Sequence, residues 1–219
     1  MRLPAAVLFD LDGTLIDTEP TWMAEEQALA SSFGGTWTAE QAVSCVGNPL
    51  PVSAARLRDE AGVDLPVDEI VARLLDKVVA AVRSEVPWQP GARELLSALQ
   101  EHGVPCALVT MSYRSLADAV LADLPAATFA AVVTGDEVAN GKPHPEPYLT
   151  AMALLGVEPA RCVVVEDSPS GIGSGLAAGC AVVAVPPIAP LPSFAAVTVV
   201  DSLLRLDPHR LGRLAAEAA

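Results

Sequence analysis

Short apolar runs recur along the chain, each ended by polar or turn-forming residues. AAVLF (residues 5–9) runs into DLDGT, CALVT (106–110) into MSYRS, AAVVT (130–134) into GDE, CVVVE (162–166) into DSPSG, AVVAV (181–185) into PP and VTVV (197–200) into DS. An unbroken apolar run of this length, bounded by turn signals, predicts a strand buried on both faces. Between the runs, GARELLSALQEHG (91–103), SLADAVLADL (115–124), PEPYLTAMALLG (145–156) and SGIGSGLAAG (170–179) have helical spacing, and the tail after VAVPPIAPLP ends in a short Ala/Leu-rich helix. Strands alternating with helices predict an α/β fold with a doubly wound parallel sheet. In such sheets the site lies beyond the carboxyl ends of the strands.

Residues 18–88 break the alternation. TEPTWMAEEQALASSFGG reads as an amphipathic helix stopped by Gly34 and Gly35. TAEQAVSCVG and PVSAARLRDEAG read as shorter helices closed by glycines, and residues 66–86 as one long helix. The chain returns through PWQPG (87–91), a segment suited to a hinge. The expected organisation is therefore an α/β core of residues 1–16 and 89–219, with residues 17–88 as a small all-α unit inserted after the first strand.

Composition narrows the options. The chain has 219 residues, 52% of them hydrophobic and only 4% aromatic, with a formal charge of −14. That charge argues against nucleic acid or an anionic membrane as partner. It leaves room for a small anionic substrate, because a local site can be positive inside an acidic protein. Cys45, Cys106, Cys162 and Cys180 show no metal-type spacing and read as reduced thiols packed as small hydrophobes. No apolar run reaches the roughly 18 residues that a membrane helix needs. The N-terminal apolar stretch is short and runs into Asp10, so it reads as a strand of a cytoplasmic protein rather than a leader.

The chemistry gathers at the strand ends. Asp10 follows the first strand, and Asp12 falls on its side if the backbone stays extended. Gly13 lets the chain turn, and amides of this loop could cradle phosphate oxygens. Thr110 ends the next strand, where its hydroxyl and the amide of Met111 suit a phosphoryl oxygen, while Ser112 suits an N-cap. Lys142, one of two lysines in the chain, sits in the proline-stiffened GKPHPEP. There its ammonium could neutralise a phosphate and Asp10. His144 suits loop packing or capping, and Lys77, in a helix with charged neighbours, suits solvent. Glu166 and Asp167 are hard oxygen donors that, with Asp10 and the carbonyl of Asp12, suit Mg²⁺. Asp17 reads as a hinge or helix-start residue.

DLDGT, VTMS, GKPHP and VVEDSPSG, in this order and each after a strand, resemble the four-motif set of the haloacid dehalogenase superfamily. The helical insert resembles that superfamily's small cap, and DLDGTLIDTEPTW with GKPHPEPY is similar to its sugar-phosphate phosphatase and β-phosphoglucomutase branch. The resemblance implies Asp10 as nucleophile forming an aspartyl-phosphate, Asp12 as general acid and base, Thr110 and Lys142 at the phosphoryl group, and Mg²⁺ held at Asp10, Asp12, Asp167 and Glu166, the last directly or through water.

The implied reaction is Mg²⁺-dependent hydrolysis of a sugar or polyol phosphate, a small phosphorylated metabolite. Dehalogenation needs neither a second acid nor a metal. Phosphonoacetaldehyde hydrolysis needs a cap lysine, and the cap has only the distal Lys77. A β-phosphoglucomutase is the rival reading, but its cap histidine position holds Trp22 here, and the loop SCVGNPLPVS has no basic residue. A catalytically silent phosphate-binding protein is the remaining alternative. Glu19, Trp22 and Asn48 are the candidates for contacting the leaving group, with Trp22 equally suited to packing inside the cap; Arg114 suits a solvated helix position better than the substrate. A chain of this size and fold is expected to work as a monomer.

Overall fold

The computed structural model describes residues 3–185 and 197–218. Strands β1 (Ala6–Phe9), β2 (Cys106–Val109), β3 (Ala131–Val133), β4 (Cys162–Glu166), β5 (Ala181–Ala184) and β6 (Val197–Val199) form one sheet in the order β3-β2-β1-β4-β5-β6. Every pairing is parallel; Val7 lies opposite Cys106 on one side and Val163 on the other. Side chains alternate between two cores, as the pleat requires. Val7 and Phe9 pack into one, and Ala6 and Leu8 into the other. Helices α7 (Glu146–Leu155) and α8 (Pro169–Ala177) contact strands on the Ala6/Leu8 side. Helices α5 (Ala92–Glu101), α6 (Arg114–Leu121) and α9 (Pro208–Ala218) belong to the other layer. The expected doubly wound parallel sheet is the observed one. The proline-rich stretch after β5 lies outside the described residues.

Chain order reverses at β1. The chain moves outward to β2 and β3, then returns to place β4 on the opposite side of β1. A crevice opens where loops after adjacent strands leave in opposite directions. Asp10, Thr110 and Asp167 follow β1, β2 and β4 and so converge there.

Helices α1 (Glu19–Ser32), α2 (Ala39–Val43), α3 (Leu50–Ala61) and α4 (Val67–Ser84) fill the insert. The TAEQAVSCVG helix is shorter than expected. It opens with a Thr38/Gln41 capping box, but gives way after Val43 to turns. Helix α4 buries Ile70, Leu74, Val78 and Val82 on one face and packs against α1, α3 and α6. Helix α1 departs from the expected apolar-faced pattern, because its buried residues are Glu19, Trp22, Glu26 and Ala30. Two crossing segments join insert and core: the Asp17 amide donates to Pro87 O, the Gln89 amide donates to Leu15 O, and Ile16 bridges Trp88. The Asp17 side chain points to solvent, in keeping with a junction role.

Candidate active site

A buried ion cluster sits at the carboxyl ends of β1 and β4. Lys142, 3% exposed, directs its three ammonium hydrogens to Asp10 Oδ1 (2.6 Å), Glu166 Oε1 (2.5 Å) and Val109 O (2.9 Å). Its donors are thereby fully used. Burial alone would lower its pKa, but the charges of Asp10 and Glu166 outweigh burial and raise it. The ring of Tyr148 lies 5.0 Å from the ammonium, and its hydroxyl donates to Glu166 Oε1 at 2.8 Å. Glu166 Oε2 accepts from the Asp167 and Ser168 amides and from the Ser168 hydroxyl. Both oxygens of Glu166 are therefore taken by protein donors.

Asp10 and Asp167 are different. Asp10 Oδ1 holds the lysine, and Oδ2 accepts no hydrogen bond among the described residues. Asp167 accepts one long bond from Thr14 Oγ1 (3.3 Å) at Oδ1, and its Oδ2 is buried without a partner. Burial, then the charge of Glu166, pushes both carboxyls well above their ordinary range. One carboxylate oxygen from each of Asp10, Glu166 and Asp167 lies within 4.8 Å of the other two. Fully ionised, three carboxylates against one ammonium would leave a surplus of two negative charges in a buried site, which is costly without further compensation. A hard divalent cation would supply that compensation, and the orphaned Asp167 oxygen would be a free ligand for it. The donor set therefore fits Mg²⁺, with Asp10 and Asp167 offering open acceptors and Glu166 contributing mainly charge.

Gly13 makes room for this arrangement. Its φ is +86°, and a Cβ there would sit 2.1 Å from Asp167 Oδ2. Its amide donates to Ile16 O at 2.8 Å, and it lies outside the main cavity. Its donor is occupied in closing the turn, so a phosphate cradle in this loop would have to use other amides than that of Gly13. Gly13→Ala is expected to displace Asp167 and strain the loop. It should lower stability by about 1–3 kcal/mol and weaken Mg²⁺ binding, measured by calorimetric titration of the metal; unchanged metal affinity would contradict the close-packing account.

Asp12 is held by three hydroxyl side chains, two of which, Ser112 and Thr110, sequence reading assigned elsewhere. Ser112 Oγ donates to Asp12 Oδ2 at 2.7 Å, Thr110 Oγ1 lies 3.4 Å from the same oxygen, and Thr18 Oγ1 donates to Oδ1. Ser112 does not cap α6, whose N-cap is Tyr113; its amide donates to Thr110 Oγ1 at 3.0 Å. Thr18 occupies the N-cap position of α1 without capping it. The Met111 amide has no protein acceptor among the described residues and remains available.

A cavity of about 70 Å³ opens between this centre and the insert helices. Asp10, Asp12, Thr110, Met111, Lys142 and Asp167 line its floor; Glu19, Trp22, Glu26 and Asn48 are among the residues of its roof. The structure thus brings together the expected site residues around one space, save Gly13 and the wholly buried Glu166. The roof rests on the core through Gly47 (φ +75°), where a Cβ would meet Ser168 Cβ at 2.7 Å, and whose carbonyl accepts from Ser170 Oγ at 2.8 Å. Glu19 is 7% exposed, and burial, followed by the Asp12 charge, pushes its carboxyl up to about 8. Among the remaining candidates, His144 Nδ1 accepts from the Glu146 amide, and Arg114 pairs with Glu137 at 2.5 Å. Lys77 is exposed on α4. Cys45, Cys106, Cys162 and Cys180 are buried free thiols.

Sequence reading missed Thr18, Tyr148 and Glu26. Only Glu26 carried a local signal: Glu19, Trp22, Met23 and Glu26 fall at i, i+3, i+4 and i+7, one face of a helix, and all four line the cavity.

The family model for haloacid dehalogenase-like hydrolases matches residues 7–185. Hexitol phosphatase A of Escherichia coli (strain K12) is 36% identical over 182 residues, covering 81% of each chain. The bifunctional riboflavin kinase/FMN phosphatase of Arabidopsis thaliana is 33% identical over 187 residues, 84% of this chain, which spans only 49% of that protein's length. Among solved structures, CbbY from Rhodobacter sphaeroides in complex with phosphate superposes with a TM-score of 0.81 at 27% identity, over 92% of this chain and 95% of that one. With its four strand-end motifs converging on one crevice, the chain belongs to the haloacid dehalogenase-like hydrolase family.

Proposed function

We propose that this enzyme is a Mg²⁺-dependent phosphatase that hydrolyses a sugar or polyol phosphate through a phosphoryl group carried on Asp10. The observation that supports it most is the Asp10–Lys142–Glu166–Asp167 cluster facing a cavity roofed by the insert. Residues 17–88 act as the cap and residues 1–16 and 89–219 as the catalytic core. Asp10 and Asp167 would hold the metal, with the carbonyl of Asp12. Bound there, Mg²⁺ would neutralise charge on the phosphoryl oxygens.

In the first step the free Asp10 Oδ2 attacks phosphorus. A carboxylate O–P bond forms, the ester P–O bond breaks, and Asp12 gives its proton to the departing alkoxide. In the second step water attacks phosphorus, Asp12 takes the water proton, and the acyl phosphate P–O bond breaks to release inorganic phosphate and Asp10. Thr18, Ser112 and Thr110 hold Asp12 for both transfers. Lys142 fixes Asp10 Oδ1. The relatedness to hexitol phosphatase A supports a polyol leaving group. Among the described residues, the cap side of the cavity offers no lysine or arginine for a second phosphate, which disfavours the mutase alternative.

The test is phosphate release from hexitol and hexose phosphates, with Mg²⁺ and with EDTA, with β-glucose 1-phosphate scored for conversion to glucose 6-phosphate. Metal-dependent release is expected; isomer conversion without release would overturn the reading. Asp12→Asn should separate the proton-transfer role from the rest. Turnover of an alkyl phosphate should fall by about 10²–10⁴-fold, and that of p-nitrophenyl phosphate, whose leaving group needs little protonation, clearly less. Equal losses on both esters would remove Asp12 as the acid.

A further inference from the structure

The roof of the cavity carries acid where a second substrate anion would have to sit. Glu19 and Glu26 are 7% and 8% exposed, lie two turns apart on one face of α1, and both line the cavity. Buried carboxyls are normally paired or hydrogen-bonded. Glu19 makes no hydrogen bond among the described residues; burial and surrounding acids alone act on it. Glu26 accepts at Oε2 from Trp37 Nε1 (2.8 Å), and its Oε1 has no partner among the described residues. Arg56, whose charge acts on Glu26 from outside the cavity, is engaged with Glu60, Ser44 and Cys45 and does not line it. Lys142 is saturated by its three acceptors on the floor. The roof therefore carries free acceptor oxygens on two buried acids, and among the described residues no lysine or arginine lines the cavity on that side.

We propose that Glu19 and Glu26 form the specificity subsite of the cap, and that it takes a leaving group bearing an ammonium group, an amino sugar or aminocyclitol phosphate, in preference to one bearing a second anion. This rests on the phosphatase reading above. An ammonium offers hydrogen-bond donors and the charge that the roof lacks. A carboxylate or second phosphate would find no cation on the roof, and would either meet the charge of the ionised glutamates or hold them in their neutral form. A neutral polyol can bond to the glutamates and falls between the two.

The test is calorimetric titration of the Asp10→Asn protein, in Mg²⁺, with glucosamine 6-phosphate, glucose 6-phosphate and 2-phosphoglycolate. The amino ester should bind about tenfold tighter than the glucose ester, the scale of one charged hydrogen bond, and phosphoglycolate weakest. Adding Glu26→Gln, which keeps an acceptor for Trp37, should bring the first two ligands within about twofold of each other. A structural role for Glu26 would shift all ligands together and leave the ratio unchanged. Equal affinity of the two sugars, an unchanged ratio in the Glu26→Gln protein, or tightest binding of phosphoglycolate would overturn the proposal. Phosphate release from p-nitrophenyl phosphate by the wild-type protein, measured alongside, reports on the phosphatase reading by itself.

Discussion

Asp10→Asn is expected to reduce phosphate release by about 10⁴–10⁶-fold, the scale of losing a nucleophile, while leaving the fold intact. The amide is isosteric, and its oxygen still accepts from Lys142, so the 2.6 Å contact has a partner in the variant. What is lost is the anionic oxygen that attacks phosphorus. The substitution also removes one charge from a cluster in which burial and the neighbouring Glu166 already disfavour ionisation of Asp10. The metal-free variant should therefore unfold at a temperature no lower than the wild type. Phosphate release and thermal unfolding on the same preparation check both halves. Turnover within tenfold of wild type would remove Asp10 from the chemistry; a collapse in unfolding temperature would mean that its charge holds the site together.

Lys142→Ala should be the most damaging single change to stability. Among the described residues the lysine is the sole ammonium in contact with Asp10 and Glu166, and like them it is buried. Its removal leaves three carboxylates with no cation and the Val109 carbonyl without its donor. Breaking a buried ion pair from one side costs about 3–5 kcal/mol, or about 6–20 °C of unfolding temperature for a chain of this size. Adding Glu166→Gln should recover part of the loss, because one of the stranded charges goes with it. The expected signature is a double variant more stable than Lys142→Ala alone, read by denaturant unfolding without metal. A single variant as stable as wild type would mean that the carboxylates are neutral in the folded protein.

Much of this was legible in the sequence because it rests on local pattern. The six apolar runs are the six strands, five of them shortened by a residue or two, and the acids that follow β1 and β4 stand at the carboxyl ends of a parallel sheet. What escaped depends on distant partners. Ser112 has the right chemistry for an N-cap, yet its hydroxyl meets Asp12, a residue a hundred positions away. Thr18 likewise leaves its helix start for Asp12. A short hydroxyl side chain has several acceptors within reach, and only the tertiary fold selects one. Tyr148 stands within the predicted helix of residues 145–156 with no local sign of its partner; its hydroxyl proves to satisfy Glu166. The Gly13 amide, free in any extended sketch of the loop, is spent on Ile16 once the chain turns back. Glu26 was hidden because acids on a helix are expected to face water, whereas the crevice turned that face inward.

The most direct measurement is rapid acid quench of the enzyme mixed with Mg²⁺ and a hexitol phosphate, followed by mass analysis of the peptide that contains Asp10. The account predicts a transient mass increase of one phosphoryl group on that peptide, formed and lost at rates that accommodate steady-state phosphate release, and missing from Asp10→Asn. Steady turnover with no phosphorylated peptide at any time, or the phosphoryl group on another residue, would contradict it.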